Sequence, residues 1–221
     1  MADQDVRHYP HPVIAREGWA FVGLSLFLAL AATIVGLESV ALLLWIVAIF
    51  VIQFFRDPAR TPPLGEGLIT SPADGRVVVV EKAQDPITGA DSLKISVFMN
   101  VFNVHSNRSP IAGRVTELRY FPGAFLNAAV DKASEQNERN AIIIEDSQGR
   151  RLTCIQIAGL VARRILCYVK TGDTLLRGAR YGFIRFGSRV DIYCPIGTQS
   201  LVSVGDKVSA HSTALARWSD A

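Results

Sequence analysis

The sequence predicts a mainly β protein that carries an N-terminal membrane helical hairpin. Three observations carry this expectation. Two apolar runs, "WAFVGLSLFLALAATIVG" (19–36) and "VALLLWIVAIFVIQFF" (40–55), flank a single acid, Glu38. A stretch rich in Pro and Gly, "RDPARTPPLGEG" (56–67), follows them. Beyond it, short β-branched runs alternate with Gly/Asp turns for the rest of the 221 residues.

The apolar runs come first. At 18 and 16 residues they fall slightly short of the ~20 that a spanning helix prefers. They are apolar all round rather than on one face, which favours lipid over a buried hairpin in a water-soluble core. The segment ahead of them carries no excess of bases and a second run follows at once, so a cleaved signal peptide is disfavoured. Arg7 and Arg16 precede the hairpin, Arg56 and Arg60 follow it, and the connection near 36–39 has no base. Positive charge at both outer ends places both termini in the cytoplasm. The expected organisation is a tail (1–18), the hairpin (19–55), a linker (56–67) and a β-rich domain (68–221).

Within that domain, "RVVVVEKA", "SLKISVFM", "RVTELRYF", "AIIIEDSQGRRLTCIQIAG", "ILCYVK", "GFIRF", "RVDIYCP" and "LVSVG" read as strands separated by turn residues. Regular short strands argue a β-sandwich or barrel. A helical piece is expected over 125–140, where β-branching falls. "SPADGRV", "KTGDTLLRG" and "SVGDKVSAHSTALA" all set Asp beside Gly before a strand. The last two resemble the turns of lipoyl- and biotinyl-like sandwiches. Cys154, Cys167 and Cys194 form no CxxC pair and read as buried reduced thiols. A net charge of +3 is too small to argue for nucleic acid.

The chemistry centres on "RYGFIRFGSRVDIYCP" (180–195), where Gly187 and Ser188 interrupt a strand-like run. A hydrolase elbow needs a second Gly and a following helix, and neither is present. What remains is a serine whose preceding carbonyl is unshielded by a Cβ. In that geometry the hydroxyl can attack its own preceding carbonyl, forming an ester that β-elimination then breaks. Glycine permits the close approach.

"FGSR" with its flanks resembles the processing site of the phosphatidylserine decarboxylases, in the short bacterial and archaeal branch. The likeness extends to "FFRDPART", "SPADGRV", "SVFMNVFNVHSNRSPIAGRV", "YFPGAFLNA", "ASEQNERNAI" and "QIAGLVARRI". It implies a self-processing proenzyme, cleaved between Gly187 and Ser188 into a β chain (1–187) and an α chain (188–221). Ser188 would become a covalent pyruvoyl group. That group would form a Schiff base with the serine amine of phosphatidylserine and act as the electron sink for loss of CO₂. Phosphatidylethanolamine would be released, with no metal required.

The resemblance also implies site residues. His105, in "FNVHSNRSP", is the expected proton carrier, although a lone histidine is more often structural. Asp74, in "SPADG", is expected to orient a base, giving an Asp–His–Ser relay; its plainer reading is a turn residue. The longer branch has a second histidine where this chain has Arg108, so His105 or another group must serve both steps. Arg108 could instead bind the substrate carboxylate or phosphate, or form an ion pair. "SEQNERN" (134–140) belongs near the family's active site without individual roles, and Arg163 and Arg164 form an interface pair, a phosphate-facing pair or a solvated edge.

The implied partners are phosphatidylserine in the bilayer and the protein's own two chains as a heterodimer, with a higher oligomer left open. The implied location is the inner membrane, with the catalytic domain on its cytoplasmic face. Two other classes compete: a membrane-anchored lipoyl-like carrier, and a pyruvoyl decarboxylase of a soluble amino acid. The first lacks a lysine at a hairpin tip, and the second does not obviously need a membrane hairpin.

Overall fold

The computed structural model describes residues 13–126, 136–160, 164–185 and 188–219. The chain divides into two compact units, one within residues 10–59 and the other beginning at Arg60.

The first unit is a helical hairpin of α1 (Trp19–Ile34) and α2 (Glu38–Phe54), preceded by one 3-10 turn at Arg16–Gly18. The turn falls at 35–37, and Glu38 opens α2, where a negative charge favours the positive end of the helix dipole. The hairpin is inverted relative to a soluble helix pair. Apart from Phe54 at the end of α2, its buried positions are small: Ser25, Ala29 and Ala32 on α1, Ala41 and Ala48 on α2. Leu24, Phe27, Leu30, Leu42, Leu43 and Ile49 are exposed. Small residues let two helix backbones approach closely, the packing used where lipid supplies the apolar surroundings. Trp45 Nε1 donates to Thr33 Oγ1 at 3.2 Å and ties the helices together. Among the described residues only the first helical run, Arg16–Ile34 at 19 residues, is long and apolar enough to cross a membrane; Glu38–Phe54 is shorter.

The second unit is mainly β. Its strands are β1 (Leu68–Thr70), β2 (Gly75–Gln84), β3 (Asp91–Met99), β4 (Ser106–Arg108), β5 (Gly113–Phe121), β6 (Arg139–Glu145), β7 (Arg151–Ala158), β8 (Arg164–Cys167), β9 (Thr174–Leu175), β10 (Arg180–Arg185), β11 (Ser188–Pro195), β12 (Gln199–Ser200), β13 (Lys207–Val208) and β14 (Ala214–Arg217). The expected helix over 125–140 lies largely outside the described residues. Its last two residues, Arg139 and Asn140, open β6, where Asn140 is buried in the ladder. The expected strand "LVSVG" is instead a turn after β12, because Asp206 Oδ2 takes the Ser203 N–H and closes it.

An eight-stranded antiparallel sheet runs β13-β2-β3-β11-β7-β6-β5-β9, flanked by three-stranded sheets β1-β14-β12 and β4-β10-β8. Its order is open, ending at two-residue strands rather than closing into a barrel. These orders describe one seven-strand pattern used twice. The first half comprises β1–β3 and β11–β14; the second, β4–β10, is inserted within it. Irregularities repeat too: a bulge between Val77 and Val79 in β2 has its counterpart between Val115 and Glu117 in β5. Thr70 N–H bonds Pro110 O at 3.0 Å, and reciprocally Arg108 N–H bonds Pro72 O at 2.9 Å. The halves meet where β11 pairs with β7.

The repeat is anchored by two similar segments, "SPADGRV" (71–77) and "SPIAGRV" (109–115). Each glycine has a steric cause. A Cβ on Gly75 would lie 2.0 Å from Phe98 O, and one on Gly113 would lie 2.4 Å from Glu145 O. One apolar core serves both halves, drawing Ile95, Val97, Val190 and Ile192 from one and Ile142, Ile144 and Leu152 from the other. Each such side chain contributes about 1.5–3 kcal/mol of burial.

Candidate active site

Ser188 is the first residue of β11, flanked by β3 and β7, with Met99 and Ala158 as its Cα partners. Alternation puts Ser188 on the same face as Val190, Ile192 and Cys194, so it is a hydroxyl at the end of an apolar row. It is fully buried, and its Oγ approaches Met99 Sδ at 4.0 Å. Gly187, the other half of the expected cleavage site, lies outside the described residues.

His105, just ahead of β4, is also fully buried. Its Nδ1 sits 2.9 Å from Asn103 O. A carbonyl oxygen only accepts, so Nδ1 carries the hydrogen and Nε2 is the basic nitrogen of the neutral ring. The His105 carbonyl accepts from Ile184 N–H of β10 at 3.3 Å, which sets the histidine beside the strand whose end leads to Ser188. Its ring lies 6.3 Å from that of Phe183.

Asp74 is placed differently from the relay arrangement. Its Oδ2 accepts from Arg60 at 2.5 Å and its Oδ1 from Ala210 N–H at 2.8 Å. Among the described residues it makes no hydrogen bond to His105. Arg108 is only 2% exposed, in β4, with Nη1 3.4 Å from Gly178 O.

Several groups emerge that sequence reading missed. Immediately after Ser188, Arg189 and Asp191 are both fully buried and paired, Nε to Oδ1 at 2.6 Å, while Arg189 Nη2 donates to Ser96 Oγ at 2.9 Å. Breaking such a pair by removing one partner strands a buried charge. Asn137 Nδ2 donates to Ala158 O at 2.7 Å and to Leu126 O at 2.8 Å, bracing the residue that pairs with Ser188. Asn140 Nδ2 donates to Gln156 Oε1 at 3.1 Å, and Gln156 Nε2 to Asn107 Oδ1 at 2.8 Å. These asparagines give "SEQNERN" a physical role: its described end ties β6 to the strands around Ser188.

A cleft of about 520 Å³ is lined by Asp74, Arg76, Asn100, Phe102, Asn103 and Lys207 among others, and neither Ser188 nor His105 is among its lining residues. Its loop begins directly after Met99, the partner of Ser188, and Asn103 links it to His105. Arg76 and Lys207 are neighbours across β2 and β13 and bring two cations to the cleft, while Phe102 is 63% exposed. The cysteines supply no competing nucleophile. Burial pushes the Cys154 thiol up to about 12, against an opposing hydrogen bond from Tyr181. Burial likewise raises Cys194 and Cys167. All three are free and protonated at neutral pH, when only a thiolate would attack.

A duplicated β domain whose central strand β11 opens on a fully buried serine defines a class of protein built from two similar halves. Comparison with known proteins identifies which class. The model of the phosphatidylserine decarboxylase family matches residues 47–216. The chain is 59% identical to the phosphatidylserine decarboxylase proenzymes of Paraburkholderia phymatum and Paraburkholderia xenovorans, covering 95% of this chain and 99% of each relative. It is similarly 59% identical to that of Burkholderia ambifaria. The chain belongs to the phosphatidylserine decarboxylase family and is an enzyme, a decarboxylase.

Proposed function

We propose that the protein decarboxylates phosphatidylserine to phosphatidylethanolamine and CO₂, after cleaving its own Gly187–Ser188 bond and converting Ser188 to a pyruvoyl group. The observation that carries this reading is the placement of Ser188, sealed from water at the start of β11. A hydroxyl in an apolar row has few competitors for an attack on its own preceding carbonyl. Burial also suits the product, because a ketone kept dry is spared side reactions with solvent. The pyruvoyl group would supply the electron sink for loss of CO₂, a chemistry no unmodified side chain offers.

The chain's own residues take the remaining roles. His105, with Nδ1 pinned by Asn103 O, presents Nε2 as the group that moves protons for cleavage and for the decarboxylated product. Asp74 acts as a positioning group, holding Ala210 and Arg60, rather than as a member of a bonded relay. Arg76 and Lys207 receive the headgroup phosphate, the role first considered for Arg108. The Arg189–Asp191 pair and Asn137 fix the strands on either side of residue 188.

The inverted packing of the hairpin supports insertion in a bilayer. The bases flanking it support the inner membrane with the domain on the cytoplasmic face. A lipid substrate then shares the enzyme's own plane. The two chains, 1–187 and 188–221, would remain together as a heterodimer, the short one supplying β11–β14.

Intact-mass analysis of the purified protein tests the central step. The wild type should yield a chain of 187 residues and a fragment of 34 with a blocked N-terminus. Ser188→Ala should yield one unbroken chain and no decarboxylation. An active wild-type preparation consisting of a single intact polypeptide would sink the reading.

A further inference from the structure

The duplication leaves a second opening, in the position that the candidate active site occupies in the other half. A cleft of about 530 Å³ is lined by Asp146, Arg150, Leu176, Arg177, His211 and Trp218 among others. The strand registers relate the two places: Arg150 stands where Ser188 stands, Asp146 where Met99 stands, and Ala112 where Asp74 stands.

The chemistry of this second cleft is its own. The Arg150 guanidinium lies 4.7 Å from the centre of the Trp218 ring, and its Nε donates to Asp146 Oδ2 at 2.8 Å. That uses Nε alone; among the described residues neither Nη of Arg150 has an acceptor. Arg177 makes a single long bond, Nη1 to Leu68 O at 3.4 Å, and has no carboxylate partner among the described residues. Asp146 is committed to its own turn. Burial resists its ionisation, but hydrogen bonds from Arg150 and Gln148 and the charge of Arg150 outweigh that and hold its carboxyl below the usual range.

His211 forms a third wall, and its backbone is the second signal. It is the one non-glycine among the described residues with positive φ, at 64°. Its counterpart in the other half is Gly178, at 83°. Both halves need a left-handed residue at this turn, and one of them fills the position with an imidazole despite the strain. Strain of this kind gathers at functional sites. The ring rests on Gly178, where a Cβ would lie 2.3 Å from Nδ1; both halves therefore contribute to the wall.

Guanidinium forks with spare donors match the oxygens of a phosphate, and Leu176 and Trp218 offer an apolar wall to whatever the phosphate carries. We propose that this cleft binds a phosphate-bearing group, held by Arg177 and the Nη groups of Arg150, with His211 as the third contact. The ligand is either a soluble phosphate ester or a phospholipid headgroup, since both present the same tetrahedral anion. The site goes beyond the reading of Ser188 and stands without it.

The test uses the full-length protein in neutral detergent, titrated calorimetrically with glycerol 3-phosphate and, separately, with micelles carrying phosphatidylglycerol. Saturable binding is expected with at least one probe. It should weaken at least tenfold in Arg177→Ala and Arg150→Gln, and several-fold in His211→Gly and in Arg177→Lys, which keeps the charge but loses the fork. Saturation by the soluble ester assigns a free phosphate compound; saturation by the lipid alone assigns a headgroup. Ser188→Ala should bind as the wild type does, so failure of the catalytic reading leaves this result unmoved. Binding of neither probe, or undiminished binding by a folded Arg177→Ala, overturns the proposal. Loss of binding in Ser188→Ala also overturns it, because the phosphate would then occupy the catalytic cleft.

Discussion

The two halves of the β domain share seven strands, two bulges and a pair of close-approach glycines, yet they end in different chemistry. Where one half sets Ser188, Met99 and His105, the other sets Arg150, Asp146 and Gly67. The scaffold is common and the difference is local: a few strand-end residues give the two ends of the sheet different chemical groups. This is the general separation between fold and function, displayed inside one chain.

The largest expected effect separates the halves outright. Ser188→Ala should abolish both cleavage and decarboxylation, whereas Arg150→Ala at the matching position should still yield two chains by denaturing electrophoresis. Next comes His105→Ala, which should slow appearance of the short fragment by ~10²–10⁴-fold, the usual contribution of a general acid–base group. Cleavage at the wild-type rate in that variant would remove His105 from the mechanism.

A third pair of substitutions should show the halves behaving alike. Gly75→Ala and Gly113→Ala each drive a methyl group into a carbonyl oxygen. Each should cost about 1–3 kcal/mol, read as a lowered thermal midpoint in the uncleaved Ser188→Ala background. If one glycine tolerates alanine and the other does not, the halves are less equivalent than their registers indicate.

The smallest effect concerns Asp146. Its folded carboxyl titrates below its unfolded value, so it contributes stability above the ordinary carboxylate range, and that stability is lost as pH falls through the folded value. Asp146→Asn should therefore lower the thermal midpoint near neutrality and converge on the wild type in acid. Met99→Leu, at the matching position, should show no such pH dependence.

Much of this was legible in the sequence. β-Branched runs gave away β2, β3, β5, β6, β7 and β11, because each buries a face of one shared core. The decarboxylase family was legible from motifs spread along the chain. The duplication was harder to see, since the second half is nested inside the first and the matching segments are not consecutive. "SPADGRV" and "SPIAGRV" were the available signal. Asp74 has a plain reading as a turn residue, because Asp-Gly pairs often are, beside the base-orienting role the family resemblance implies; that its carboxylate reaches Ala210, far along the chain, no local pattern encodes. Arg189 and Asp191, two apart on one strand face, carry no motif that marks them as buried. Only the strands on both sides show them to be enclosed.

The nesting has a mechanical consequence. The stretch from Ser188 onward contributes β11 to the middle of the large sheet, β13 to its edge, and β12 and β14 to a separate small sheet beside β1. Scission ahead of Ser188 would cut a covalent thread without freeing either piece, as a knot holds after one cord is severed. A chain cut there would be held by its ladders, β11 to β3 and β7 and β14 to β1.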